Sequence, residues 1–283
     1  MARSHHALSV ALLSAGCLTS QGTRPSLELG LLGATQYNRR GMVENEHGVL
    51  QGEAKARVPA GSLGGALQLK AWSNMDLTDD TGDAWFPDGH AGEPTEIDLT
   101  AAYGRSLGPI DLSAGVTGYI HPFGSEFLNG NRGNTTEVFA AAGGEVLPGR
   151  AFGFYPLFAA FYDPDAVDGF YLNGGVFKGW DLAERLRLLL GASVGYSEQN
   201  HSLWTYGFRE RGWADLRGTL TLEYRLTESS TIAAGVAAST ILDDDIHDWV
   251  EDRAVVARRS GGAVERGIDP EAVWGTLGVS WRI

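Results

Sequence analysis

The stretch Trp213-Ala-Asp-Leu-Arg-Gly-Thr-Leu-Thr-Leu-Glu-Tyr-Arg-Leu226 decides the fold class of this chain. Apolar residues and glycine occupy every second position, and charged or hydroxyl residues lie between them. Side chains of a β-strand alternate between two faces, whereas on a helix both sets would spread around the whole circumference. The stretch therefore predicts a strand with Ala214 on its apolar face and Asp215 on its polar face.

The same alternation recurs in about twelve segments, each close to the nine to eleven residues that a tilted membrane strand needs. The connections between them alternate in length along the chain. Long ones include 37–47, 75–93, 122–133 and 242–271, and tight ones include 59–62, 107–109, 147–150 and 227–230.

Long loops on one rim and short turns on the other are typical of outer-membrane meanders with an even strand count. A soluble β-sandwich also alternates, but its Greek-key connections give no reason for this rhythm. We therefore predict an all-β fold, an antiparallel up-and-down transmembrane β-barrel of about twelve strands. Its outward faces are apolar, and aromatic residues near strand ends predict an interfacial girdle.

Composition narrows the classes of partner. The net charge of −13 argues against nucleic acid, whose phosphates would be repelled, and leaves cations, small polar solutes and a lipopolysaccharide surface. A single cysteine excludes an internal disulfide framework and a Cys-cluster metal site. No cofactor motif is present, so neither a cofactor nor a metal site is predicted.

The first residues resemble a targeting segment. Arg3 precedes a short apolar run that ends in small residues, a pattern typical of a secretory signal peptide. We predict a signal peptide over 1–22 and an outer-membrane β-barrel over 23–283. Lipidation of Cys17 is a less favoured alternative, because the large apolar residue that a lipobox needs stands one place too early, at Leu13.

Charged residues on the polar strand faces define the predicted lumen. Their signs are mixed, which suggests a salt-bridged interior and leaves open whether the lumen is an open, narrow or closed channel. Plugging by 242–271 is one way to close it. The predicted pore-lining residues are Glu53, Lys55, Arg57, Lys70, Glu96, Asp98, Asp111, Glu137, Asp215, Arg217, Glu223, Arg225 and Arg282.

The last strand carries a candidate assembly signal at Thr276, Gly278, Trp281 and Ile283. It looks like the C-terminal signal that barrel-assembly machinery recognises, although a terminal Phe is commoner than Ile283. The predicted partners are therefore this machinery, outer-membrane lipid and lipopolysaccharide.

Catalytic signals are weak. His121 and Ser125, with Asp98 or Asp163, could form a hydrolase triad, but a histidine at a strand end is more often solvated than catalytic. No Gly-x-Ser-x-Gly elbow or His-Glu-x-x-His motif occurs. The chain is therefore predicted not to be an enzyme.

The region 95–172 resembles the TorF-type porin family. The likeness rests on Thr95-Glu-Ile-Asp98 with Tyr103, on Asp111-Leu-Ser-Ala-Gly115, and on Asp168-Gly-Phe-Tyr-Leu172. The resemblance implies a bacterial outer-membrane location and passive transport. It also implies acidic family positions at Glu96, Asp98 and Glu137.

These observations predict a porin-like channel for passive diffusion of small polar solutes or ions. The alternatives are a non-conducting outer-membrane barrel acting as adaptor or surface anchor and, less favoured, an outer-membrane lipid hydrolase. Fold alone does not fix function, so the three stay open at the level of sequence.

Overall fold

The structure is a computed structural model that describes residues 24–80, 87–124, 133–146, 153–259 and 270–283. The expected signal peptide and Cys17 lie outside the described residues. Within them, twelve strands close into one antiparallel barrel in which nearly every strand pairs with its neighbours in sequence. The predicted fold class and strand number are confirmed.

The barrel strands are β1 (Ser26–Ala34), β4 (Val49–Pro59), β5 (Ala66–Asp76), β6 (Pro94–Leu107), β7 (Ile110–Ile120), β8 (Thr135–Gly143), β9 (Tyr155–Asp163), β10 (Gly169–Ala183), β11 (Leu186–Ser197), β12 (Gly212–Arg225), β13 (Ser230–Ile241) and β14 (Glu271–Arg282). Two short strands, β2 (Tyr37–Arg39) and β3 (Met42–Asn45), pair only with each other. The barrel closes where β1 pairs with β14.

Helices lie only in connections. α1 (Gln199–Tyr206) follows β11, and α2 (Asp244–Arg259) lies in the long connection 242–271. Ile246 and Val250 of α2 are fully buried and join the main apolar cluster. No helix in the described part of the chain is long and apolar enough to cross a membrane.

The outward face of the barrel is apolar. Large side chains such as Leu99 (51% exposed) and Phe158 (66%) point away from the lumen. A water-soluble protein rarely exposes so continuous an apolar surface, whereas lipid covers it without cost. The closed ladder also satisfies the backbone groups of the strands, which a bilayer requires. The chain is therefore a transmembrane barrel.

Aromatic side chains lie near both ends of this apolar belt. Trp281 and Tyr224 lie near the ends of β14 and β12 where the short turns are, here called the short-turn rim. Tyr196 and Trp213 pack edge to face near the opposite end, here called the long-loop rim. Such positions suit aromatic rings at a membrane–water interface. The predicted girdle is present.

The rhythm of the connections has one exception. The connection between Gly143 and Tyr155 was predicted to be a tight turn at 147–150, but it spans eleven residues with a single bridge between Val146 and Phe154. Residues 147–152 lie outside the described part. Pro156 is the second residue of β9, where a missing ladder donor is tolerated.

One face assignment was wrong. Ala214 was predicted to face lipid, but it is fully buried, while Trp213 is 58% exposed. A register shift between β11 and β12 explains the difference, because Val194 pairs with Leu216 and Tyr196 pairs with Trp213. Two residues of β12 therefore oppose one of β11, as in a β-bulge. Asp215 points inward, and Ala214 before it is also buried, so the alternation of the two faces is interrupted between these residues.

We expect Leu220→Arg to destabilise the folded barrel by about 2–4 kcal/mol, because a lipid-facing guanidinium is costly deep in the bilayer. Thr221→Arg, next in the strand but facing the lumen, is the control and should cost far less. Urea-induced unfolding in lipid vesicles measures both. Equal losses would contradict the assignment of the two faces.

Candidate functional site

The most informative feature of the interior is the β2–β3 hairpin, here called the lumen hairpin (37–45). It leaves β1 at the long-loop rim and folds inward, so Met42 and Asn45 have no exposed surface. Its turn consists of Arg40 and Gly41, both with positive φ (50° and 81°). Positive φ at both central residues is the geometry of a tight type I′ hairpin turn.

One arginine of the hairpin binds the wall at Glu96. Arg39 Nη1 lies 2.9 Å from Glu96 Oε1, and the Tyr37 hydroxyl donates to Glu96 Oε2 at 2.9 Å. His121 Nε2 lies 3.8 Å from the same carboxylate. The Arg39 guanidinium also stacks 4.4 Å over the Tyr119 ring. A fully buried carboxylate from β6 is thus compensated largely by the hairpin.

The second arginine binds the wall two strands further on. Arg40 Nη2 lies 2.7 Å from Glu137 Oε2 on β8, and Tyr119 donates to Glu137 Oε1 at 2.8 Å. Arg40 Nη1 lies 2.6 Å from His201 Nε2 on α1. Burial lowers the pKa of Arg40, but Glu137, Tyr119 and Tyr171 together raise it by more, so the guanidinium stays charged.

Other contacts anchor the hairpin on the remaining walls. The Tyr206 hydroxyl donates to the Arg40 carbonyl at 2.7 Å, and burial, with the charge of Asp215, raises the pKa of Tyr206 and keeps that hydroxyl protonated. The Tyr37 ring packs 5.7 Å from Trp72 on β5. Gly41 lies against Asp215 on β12. The hairpin thus contacts walls on strands from β5 to β12, which means that it crosses the lumen.

Two cavities lie beside the hairpin. The larger is a cavity of about 110 Å³ on the short-turn side, with Trp72, Phe177 and Glu223 among its walls. The smaller, about 10 Å³, lies among Arg39, Arg40, Glu137 and α1 and has room for roughly one water molecule. The two arginines therefore line the smaller of these two spaces.

Strand register places every predicted pore-lining residue on an inward face. Glu96 and Glu137 hold the hairpin, and Asp215 accepts a hydrogen bond from Tyr171 at 2.6 Å. Asp111 accepts hydrogen bonds from Ser106 and Tyr155, and Arg217 stacks on Trp274. The buried members also include Lys70, Asp98 and Glu223, the half-buried ones are Glu53, Lys55 and Arg57, and Arg225 and Arg282 are exposed at the short-turn rim. That these residues line a conducting pore stays a prediction.

The hairpin was not predicted from the sequence. Residues 37–47 were predicted to be a long polar connection, and Asn38, Arg39, Arg40 and Glu44 are polar residues of types that usually face water. The available signal was Arg40-Gly41 between two short segments of strand-forming residues, which is compatible with a hairpin turn. Nothing local indicates that the hairpin folds into the barrel.

The candidate triad is not assembled in the described residues. His121 is buried against Glu96, and Ser125 lies outside the described part of the chain. Asp163 accepts a hydrogen bond from Thr135 at 2.5 Å. His121 therefore belongs to the polar network around the hairpin.

The proposed assembly-signal residues lie in the closing strand. Thr276 and Gly278 face the lumen, and Trp281 faces lipid. Ile283 and Leu27 exchange backbone hydrogen bonds of 2.8 and 3.2 Å at the barrel seam. Recognition by assembly machinery stays a prediction.

The fold and its polar interior define a transmembrane β-barrel of the outer-membrane class. Among solved structures, the chain is similar to the COG4313 outer membrane channel from Pseudomonas putida F1, with a TM-score of 0.58, 11% identity, and 95% of this chain and 98% of that chain covered. It is also similar to the NanC porin, with a TM-score of 0.50, 9% identity, and 90% and 100% covered. At these identities the likeness concerns the fold alone.

No family model matches the chain, and no curated protein matches it in sequence. The resemblance to the TorF-type porin family therefore stays a prediction.

Gly41→Ala should loosen the hairpin. An added Cβ would lie 2.7 Å from the Asp215 Cβ, and the residue has a positive φ that alanine rarely adopts. We expect a loss of about 1–3 kcal/mol in the free energy of unfolding. Gly52→Ala is the control, because a Cβ there meets nothing within 4 Å. Urea unfolding compares the two, and an unaffected Gly41→Ala barrel would contradict the packing described.

Glu137→Gln should expose the hairpin, because it leaves the Arg40 guanidinium buried without its charged partner. The reporter is Met42→Cys in a Cys17→Ser background, since Met42 is fully buried. We expect maleimide to label this thiol slowly alone and markedly faster with Glu137→Gln. Glu184→Gln, in an exposed short turn, is the control. Equal labelling rates in all three proteins would show that the ion pair does not hold the hairpin.

Proposed function

We propose that the protein is a porin-like channel of the bacterial outer membrane for passive diffusion of small polar solutes or ions, with the lumen hairpin setting its narrowest point. The observation that carries this proposal is a charged lumen inside an apolar exterior, crossed by the hairpin through the ion pairs of Arg39 and Arg40. A polar lumen stabilises water and solutes in the barrel, and a charged constriction selects among them.

The outer-membrane location is supported by the barrel closure, the aromatic girdles and the likeness of fold to outer-membrane channels. The signal peptide over 1–22 and recognition of the C-terminal strand by assembly machinery belong to the same proposal. So does membership of the TorF-type porin family, which rests on the motifs in 95–172. Non-enzymatic transport is favoured over lipid hydrolysis, because His121 is held in the hairpin network.

A second candidate is a non-conducting barrel that acts as an adaptor or surface anchor. The specific observation in its favour is the hairpin itself, whose buried ion pairs and apolar contacts reach several walls. A lumen closed by such packing would leave the loops of the long-loop rim as the functional surface.

Planar-bilayer recording distinguishes the two candidates. We expect the natural chain to conduct with a small single-channel conductance, because its lumen narrows at the hairpin. Replacing 37–45 by a flexible Gly-Ser linker should raise that conductance severalfold. Arg185→Ala, in the exposed short turn between β10 and β11, is the control and should leave conductance nearly unchanged.

The outcomes separate the candidates. Conduction only after removal of the hairpin would favour the non-conducting barrel. Absence of conduction in both proteins, with heat-modifiable gel migration proving that each is folded, would overturn the channel proposal.

A further inference from the structure

The cavity on the short-turn side of the hairpin has a chemically distinctive lining. Its ionisable residues in the described part of the chain are three glutamates, Glu28, Glu53 and Glu223, and none is basic. We propose that this cavity, here called the glutamate cavity, binds small organic cations that carry a primary ammonium group. This inference rests on the proposed function, because it names the class of solute that the lumen takes.

Glu223 is the first reason. Its side chain is only 6% exposed, and its Oε1 is buried without a hydrogen-bond partner among the described residues. A buried carboxylate oxygen with no donor is costly, so a ligand that brings a donor and a positive charge is favoured there.

The second reason is repulsion between carboxylates. Glu28 lines the same cavity as Glu223, and two carboxylates confined in one small space repel each other. Directly across the ladder from Glu53 are Trp72 and Gly30, which carry no charge. A cation between these carboxylates would replace repulsion by attraction, which counts for more in a confined lumen than in bulk water.

Basic residues lie near the cavity but do not line it. Arg187 faces Glu223 across the ladder and attracts its carboxylate, while its Nε also lies 3.8 Å from Asp181 and its guanidinium lies over Gly179. Lys55 and Arg282 both flank Glu28 in the register, but neither lines the cavity. The negative charge of the lining is therefore only partly compensated from outside it.

The remaining lining suits an alkylammonium ion. An ammonium group has three donors, and residues with hydroxyl acceptors line the same cavity at Thr219, Thr221, Thr231, Thr276 and Ser280. The lining also contains Trp72, Phe177 and Leu189, which can pack against a short alkyl chain, and the faces of the two aromatic rings can attract a cation.

The size agrees with this class. The volume of about 110 Å³ is below that of an apolar cavity of about 150 Å³ that accommodates benzene. An ion of the size of ethylammonium therefore fits.

The test measures binding without requiring conduction. Saturation-transfer NMR on the full barrel in detergent would compare ethylammonium chloride with propan-1-ol, a neutral analogue, and with propionate, an anion of similar size. We expect only ethylammonium to give a saturable signal. Glu223→Gln should weaken its binding about tenfold, since a charged hydrogen bond is lost. Glu184→Gln, at the exposed turn, is the matched control and should bind as the natural chain does.

Three results would overturn the proposal: propionate binding in preference to ethylammonium, equal binding of propan-1-ol, or unchanged affinity in both Glu223→Gln and Glu28→Gln. Full displacement of ethylammonium by an equal concentration of potassium chloride would also overturn it, by revealing a site for any monovalent cation. Heat-modifiable migration verifies that each variant is folded. A barrel that binds ethylammonium but does not conduct would refute the channel proposal and leave the binding site standing. A barrel that conducts but does not bind ethylammonium would refute the binding site and leave the channel proposal standing.

Discussion

The structure depends on one constraint, that no backbone amide or carbonyl may stay unpaired in hydrocarbon. β1 and β14 satisfy it by pairing across the seam, with Leu27 and Ile283 bonded at its end. Once the ladder is closed, the pleat sends alternate side chains to lipid and to the lumen. The apolar belt, the aromatic girdles and the polar interior all follow from that alternation.

Closure creates a second problem, because an interior this narrow confines charges that need partners. The lumen hairpin solves part of it. Arg39 and Arg40 bring positive charge to the buried carboxylates of Glu96 and Glu137, and Tyr119 contacts both arms of the network. Removing one partner of such a pair costs far more than the intact pair contributes, so the hairpin and its walls depend on each other. The same ion pairs therefore hold the hairpin across the lumen and stabilise the interior of the barrel.

The strands were predictable to a large extent because their signal is local. Period-two alternation in β4, β6, β7 and β12 assigns faces without knowledge of the partner strand. The bulge opposite Gly195 is an exception, because the extra residue in β12 exchanges the inward and outward positions before it. Ala214 is therefore buried. The candidate site was predictable only in part. Glu96 and Glu137 could be placed on inward faces, but their partners on the hairpin could not be identified.

The sequence by itself determined the class of fold, the strand number and the inward direction of the ionisable residues, because each depends on spacing along one strand and on the exclusion of unpaired backbone from lipid. Only the tertiary structure decided that 37–45 turns into the lumen and that Arg40 meets both Glu137 and His201. Those contacts join residues 97 and 161 positions apart, and the free energy of burying polar residues depends on partners that local sequence does not specify. For that reason, a barrel predicted from sequence does not by itself establish an open pore.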